Sequence, residues 1–142
     1  MRKGVFMTVQ GCEFILYCSD QEKSRRFYQK VLGRPPLFHE PGMTQFELVP
    51  GVNLGLMPEK GIKALLGEEK CNPSPGAGIP RCELYLLLEN PEEVVERAQS
   101  YGGRLLSPLK ERDWGDSAAY LMDPDGHIIA FARRYEKSGG ER

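Results

Sequence analysis

The stretch Cys12-Glu-Phe-Ile-Leu-Tyr-Cys-Ser-Asp-Gln-Glu-Lys-Ser-Arg-Arg-Phe-Tyr-Gln-Lys-Val-Leu-Gly-Arg34 returns in altered form, 70 positions on, as Cys82-Glu-Leu-Tyr-Leu-Leu-Leu-Glu-Asn-Pro-Glu-Glu-Val-Val-Glu-Arg-Ala-Gln-Ser-Tyr-Gly-Gly-Arg104. Cys12/Cys82, Glu13/Glu83, Leu16/Leu86, Glu22/Glu92, Gln29/Gln99, Gly33/Gly103 and Arg34/Arg104 are identical pairs. Average composition would give roughly one or two. The likeness resumes downstream with a small shift, Phe46–Pro50 facing Tyr120–Pro124 and Leu54–Leu56 facing Ile129–Phe131. Duplication of one module is the simplest account.

Each copy follows one grammar. Glu13–Cys18 alternates around apolar residues and reads as a strand. Ser19-Asp20-Gln21-Glu22 matches a capping box with Ser19 as N-cap, and Phe27, Tyr28, Val31 and Leu32 stripe the helix that Gly33 ends. In the second copy the strand is Glu83–Leu88. Asn90 is the N-cap, Pro91 opens the helix, and Val94, Val95, Ala98 and Tyr101 form its stripe. Three shorter strands follow each helix. In the second copy they lie near Arg104–Pro108, Ala118–Met122 and His127–Arg133, the last two joined by the turn Asp123-Pro-Asp-Gly126. The expected fold is therefore α+β, with two tandem βαβββ modules making a cupped mixed sheet with helices outside. Module one covers about 12–57 and module two about 82–134. A Pro- and Gly-rich linker, 58–80, holds a single helical turn at Ile62–Leu66, and a polar tail occupies 135–142.

Strand parity divides the residues between two faces. One carries Phe14, Leu16, Cys18, Leu54, Leu56, Leu84, Leu86, Leu88, Ile129 and Phe131, all apolar, as helix-covered strands require. The other carries Glu13, Ile15, Tyr17, Asn53, Gly55, Met57, Glu83, Tyr85, Leu87, Ile128, Ala130 and Ala132. That mixture of carboxylates, tyrosines and small residues suits a concave ligand surface.

Composition narrows the function. The 142 residues make one domain, with 19 Lys+Arg against 20 Asp+Glu and a net charge of -1. No basic surplus exists to neutralise nucleic-acid phosphates. At 40% hydrophobic and 27% charged the chain can bury an ordinary core. It offers no apolar run long enough for a membrane span. Met1-Arg2-Lys3 begins like a signal n-region, but Gln10 and Glu13 break the apolar stretch behind it, so a cytoplasmic protein is expected. The four cysteines (Cys12, Cys18, Cys71, Cys82) lack C-x-x-C spacing and read as free thiols.

The order Cys18-Ser-Asp…Phe27-Tyr28…Leu32-Gly33 and then Tyr120-Leu-Met-Asp-Pro-Asp-Gly-His127, set in duplicated βαβββ modules, resembles the vicinal oxygen chelate superfamily. That group contains glyoxalase, bleomycin-resistance proteins, fosfomycin-resistance enzymes and extradiol dioxygenases. The resemblance spans about residues 12–134 and implies a homodimer, sometimes with modules exchanged between chains. Metal-dependent members carry a ligand at the start of each module's first strand and another in its last. Those positions here are Glu13, Gly55, Glu83 and Ala130. Gly55 and Ala130 bring no side-chain donor, and two carboxylates fall short of the three or more protein ligands such a site takes.

The expected function is binding of a small cationic or aromatic organic molecule in the cup, without a metal cofactor. The alternative is a metal-dependent lyase, isomerase or dioxygenase of the same superfamily. Module pseudo-symmetry is expected to bring Glu13 and Glu83 together on the floor as an acidic anchor. Tyr17, Tyr85 and Met57 are candidate walls, and Trp114 a stacking residue. Met43 stands at the entrance, Phe46 serves wall or core, and His39 reads either as an ordinary edge-strand histidine or, if it points into the cup, as a base or extra ligand. His127 reads as an exposed turn residue.

Overall fold

The alternating run Cys12–Cys18 is extended as its pattern demands and forms β1. Apolar positions then recur at helical spacing in Gln21–Leu32, which forms α1. β2 (Phe38–Glu40), β3 (Met43–Val49) and β4 (Val52–Pro58) complete the first module. α2 (Glu59–Leu66) and a 3-10 turn at Ser74–Gly76 occupy the linker. β5 (Glu83–Leu87), α3 (Pro91–Ser100), β6 (Arg104–Glu111), β7 (Asp116–Met122) and β8 (Ile128–Arg134) form the second. These assignments come from a computed structural model that describes residues 9–134; the expectations for Met1-Arg2-Lys3 and the tail 135–142 fall outside them.

Both modules have the expected βαβββ order, and each folds into its own four-stranded mixed sheet, β1-β4-β3-β2 and β5-β8-β7-β6. First and last strands pair in parallel in each, and a connection that includes a helix supplies the crossover such pairing needs. The registers match across the repeat: Ile15 lies opposite Gly55 and Tyr85 opposite Ala130. The cup is thus built of two sheets rather than one continuous one.

Several local expectations change, beginning with β6, which runs to Glu111 and not only to Pro108. The N-cap of α1 is Asp20, whose carboxylate accepts from Lys23 N at 3.0 Å, while Ser19 turns away to another partner and Glu22 pairs with Arg25. The linker's single turn at Ile62–Leu66 is a longer helix, anchored by buried Ile62. β7 begins at Asp116, two residues before the expected start, so Asp116 lies on the sheet and not in the preceding loop.

Phe46, Leu54 and Leu56 of sheet one and Leu121, Ile129 and Phe131 of sheet two are fully buried. They join Phe27, Tyr28 and Val31 of α1 and Val94 and Ala98 of α3 in one core. Each such large side chain contributes about 1.5–3 kcal/mol relative to exposure. Phe14 shares their parity yet stays 56% exposed. It lies on the edge strand β1, whereas α1 packs over β3 and β4.

The turn Asp123–His127 joins the modules. Tyr28 donates its hydroxyl to Asp123 Oδ2 at 2.7 Å. Ser19 donates its backbone N–H and hydroxyl to Asp125 Oδ1 at 2.9 and 2.8 Å. His127 donates from Nε2 to the Tyr17 carbonyl at 2.8 Å. His127 is therefore half-buried and bridging, where an exposed turn residue was expected. Arg97 of α3 adds Nε–H donation to the Lys30 carbonyl at 3.0 Å, a cation at the C-terminal end of α1. Gly126 seats the linker on this turn: a Cβ there would stand 2.7 Å from Gly78 Cα, so only glycine admits the contact.

Candidate functional site

Parity places Glu13, Ile15 and Tyr17 of β1 on the concave side with Asn53, Gly55 and Met57 of β4 and Met43, Gln45 and Glu47 of β3. Gly55 is buried beneath the neighbouring side chains. A Cβ on it would lie 2.8 Å from Glu13 Oε2, 3.1 Å from Ile15 Cγ1 and 3.3 Å from Met43 Sδ. The missing side chain is what lets the Glu13 carboxylate fold over β4. Glu13 Oε2 is buried there and has no hydrogen-bond partner. An unpartnered buried carboxylate oxygen costs free energy until a donor or cation reaches it. Met43 thus sits on the floor beside Gly55 rather than at the entrance.

In module two the concave positions are Glu83 and Tyr85 of β5, Ile128, Ala130 and Ala132 of β8, and Asp116, Ala118 and Tyr120 of β7. Ala118, Ala130 and Ala132 are fully buried. The short side chains of β8 leave a passage over which Tyr85 reaches from β5 to β7, where its hydroxyl donates to Asp116 Oδ2 at 2.7 Å. The same hydroxyl accepts from Trp114 Nε1–H at 2.8 Å. Trp114 belongs to the β6–β7 turn and keeps 47% of its surface exposed. The Arg112 guanidinium stacks 5.3 Å from the Tyr120 ring centroid and is held by the Ala118 carbonyl and Ser107 Oγ. Burial, then the Asp116 bond and charge, raise the Tyr85 hydroxyl above its ordinary pKa despite the opposing Trp114 bond. Burial and then the Glu83 charge raise Tyr120. Both phenols stay protonated at neutral pH.

The sequence-derived residues are carried by two sheets. Glu13 and Met57 lie on sheet one, Glu83, Tyr85 and Trp114 with sheet two, and each glutamate meets groups of its own module. Tyr17 and Ile15 line a cavity of about 350 Å³ shared with residues 76–82 and with Asp125, Gly126 and His127. His39 does not face the cup. It pairs with Thr44, whose parity is that of buried Leu56, so its ring lies on the helix side. There its Nδ1 is hydrogen-bonded to Thr44 Oγ1 at 2.7 Å and its Nε2 lies 3.5 Å from Glu22 of α1. Phe46 belongs to the core. Asp116 and Tyr120 enter the site without having been singled out; the parity of Ala118 and Ala130, extended one step, is the signal that reaches them.

The residues present do not fit a mononuclear transition-metal centre. Of the four matching positions, Gly55 and Ala130 supply no donor, and the two glutamates stand on separate sheets. Among the described residues no group of three or more His, Cys, Asp or Glu gathers.

Two βαβββ modules with concave faces and helices outside define the class of fold, and the comparisons agree. The family model for the Glyoxalase/Bleomycin resistance protein/Dioxygenase superfamily matches residues 12–131. The chain belongs to that superfamily. Among solved structures it is similar to a glyoxalase-related enzyme from Fulvimarina pelagi, at 26% identity and a TM-score of 0.75 over 93% of this chain and 95% of that one. It also resembles a glyoxalase/bleomycin resistance protein/dioxygenase from Nocardioides, at 24% identity and a TM-score of 0.66 over 98% and 92% of the two chains. A family enzyme from Burkholderia phytofirmans shares the fold at 15% identity, with a TM-score of 0.74 over 87% and 97%.

Proposed function

We propose that this protein binds a small cationic or aromatic organic molecule on the concave faces without a metal ion, as a homodimer in the cytoplasm. The observation that carries the reading is Glu13 Oε2, buried over Gly55 with no partner of its own. A bound N–H or cationic group would satisfy it, whereas a metal would need donors that Gly55 and Ala130 do not bring. The tyrosines, Met57 and Trp114 supply the apolar walls that give such a ligand its contact area. Edges of β1 and β5 that pair with no further strand among the described residues, with Phe14, Ile15 and Leu87 exposed, support association of two copies.

The test combines elemental analysis of protein purified without chelator and a thermal-shift screen of basic aromatic compounds. The expected result is substoichiometric iron, manganese, nickel and zinc, with a rise in Tm for cationic aromatics that Glu13→Gln reduces. Stoichiometric metal lost in Glu13→Gln would replace this reading with metal-dependent chemistry. Light scattering of the intact chain checks the dimer.

A further inference from the structure

Tyr85 and Tyr120 face the concave side of module two, Trp114 of the β6–β7 turn is hydrogen-bonded to Tyr85, and the three side chains differ in their surroundings. One face of Tyr120 is already occupied by the Arg112 guanidinium, 5.3 Å from the ring centroid. Tyr85 lies between β5 and β7 with its hydroxyl engaged in both directions. Trp114 alone is anchored at one edge while nearly half its surface, 47%, stays open.

That anchor is a directional chain. Trp114 Nε1–H donates to Tyr85 Oη, and Tyr85 Oη–H donates to Asp116 Oδ2, whose residue is 4% exposed. Hydrogen bonds in series polarise one another, so the carboxylate at the far end draws the indole N–H toward the phenol oxygen. Electron density shifts back onto the indole ring. A ring made more negative attracts a cation over its face more strongly. The chain also fixes the plane of the ring before any ligand arrives, which lowers the ordering cost of stacking.

We infer that the Asp116–Tyr85 pair positions and polarises Trp114 as a stacking platform selective for flat organic cations. This rests on the binding reading above and adds a ligand class and two positioning residues to it. Asp116 touches no ligand in this arrangement; it acts through Tyr85.

Trp114 is the one tryptophan in the chain, so indole fluorescence reports this platform directly. The probes are N-methylquinolinium, a permanent flat cation, and 4-methylquinoline, a neutral molecule of the same shape in mildly alkaline buffer. Binding is measured by calorimetry, with the indole emission spectrum as a second readout. Wild type should bind the cation about three- to fivefold more tightly than the neutral probe, the range of an exposed cation–π contact. Tyr85→Phe removes both hydrogen bonds and should shift the emission maximum of unliganded protein and weaken both probes. Asp116→Asn keeps an acceptor for the Tyr85 hydroxyl but removes the charge. It should leave the unliganded spectrum and neutral binding near wild type while the preference for the cation falls toward one. Equal binding of both probes to wild type, or an Asp116→Asn protein that keeps the preference, would overturn the inference and leave the binding reading standing. Failure of the cation to bind wild type at all would overturn both.

Discussion

The hydroxyl of Tyr28 donates to Asp123 Oδ2 at 2.7 Å, and the two residues belong to different modules, 95 positions apart in the chain. Burial raises the Asp123 carboxyl above its ordinary pKa against the lowering effect of His127, of Tyr28 and of two backbone N–H donors. Tyr28→Phe preserves the packing of a fully buried ring and takes one donor from that carboxylate. A hydrogen bond to a charged group contributes about 1.5–3 kcal/mol. The variant should lose about 2 kcal/mol in urea unfolding with an unchanged m-value. A midpoint equal to wild type would mean that this contact does not hold the modules together.

The linker meets the same turn backbone to backbone. Gly126 has φ of 92°, and a Cβ there would come within 2.7 Å of Gly78 N and Cα. Gly126→Ala therefore both strains the turn and lifts the linker from it. Trypsin should cut at Arg81 faster in Gly126→Ala than in wild type, while the far-ultraviolet spectrum stays the same. Equal cleavage rates would show that the linker is held by other contacts.

Gly55 offers a different kind of test. Its neighbours on the concave side are ends of flexible side chains, Glu13 Oε2 and Met43 Sδ, together with Ile15 Cγ1. A methyl group there displaces the Glu13 carboxylate without forcing the backbone to move. Gly55→Ala should change stability by less than about 1 kcal/mol, the low end of overpacking costs. Any cationic ligand found in the screen should bind at least several-fold more weakly to it, as to Glu13→Gln. Retained affinity in Gly55→Ala would take Glu13 out of the ligand's contacts.

How much of this was legible before the structure depends on how local the signal is. Side-chain alternation is a property of each strand alone, so parity was enough to put Ile15 and Gly55, and Tyr85 and Ala130, on the same face, while the opposition of each pair is set by strand pairing. His39 escaped because β2 is three residues long and follows Pro35-Pro36, too short a run to fix parity by pattern. Ser19 and Asp20 are equally able N-caps. The choice fell to Asp20 because Asp125 engages Ser19 from 106 positions away. The bridging role of His127 is hidden for the same reason: its partner is a backbone carbonyl in the other module. Turn chemistry announces that Asp123-Pro-Asp-Gly126 reverses the chain, but carries no information about what the reversed chain touches.

Cys18 and Tyr28 make the fold sensitive to base. Burial first, and then the nearby charges of Asp125 and Asp123, push the Cys18 thiol from 9.0 up to about 12. Burial and Asp123 likewise hold Tyr28 well above 10.0. In the unfolded chain both groups ionise at their ordinary values, so each folded-state pKa is raised. The stability they contribute is then fully present below pH 9.0 and falls as pH rises toward about 12. Urea midpoints should therefore drop progressively across that alkaline window, and Cys18→Ala, once corrected for its own loss of packing, should flatten part of the slope. Reactivity gives an independent check on the same environment. A thiol-specific disulfide reagent in mildly alkaline buffer should modify exposed Cys12 and Cys82 rapidly and reach Cys18 only after denaturant is added. Rapid labelling of Cys18 in the native protein would mean that the strand end beneath α1 opens far more readily than its 1% exposure implies, and the alkaline slope would then need another source.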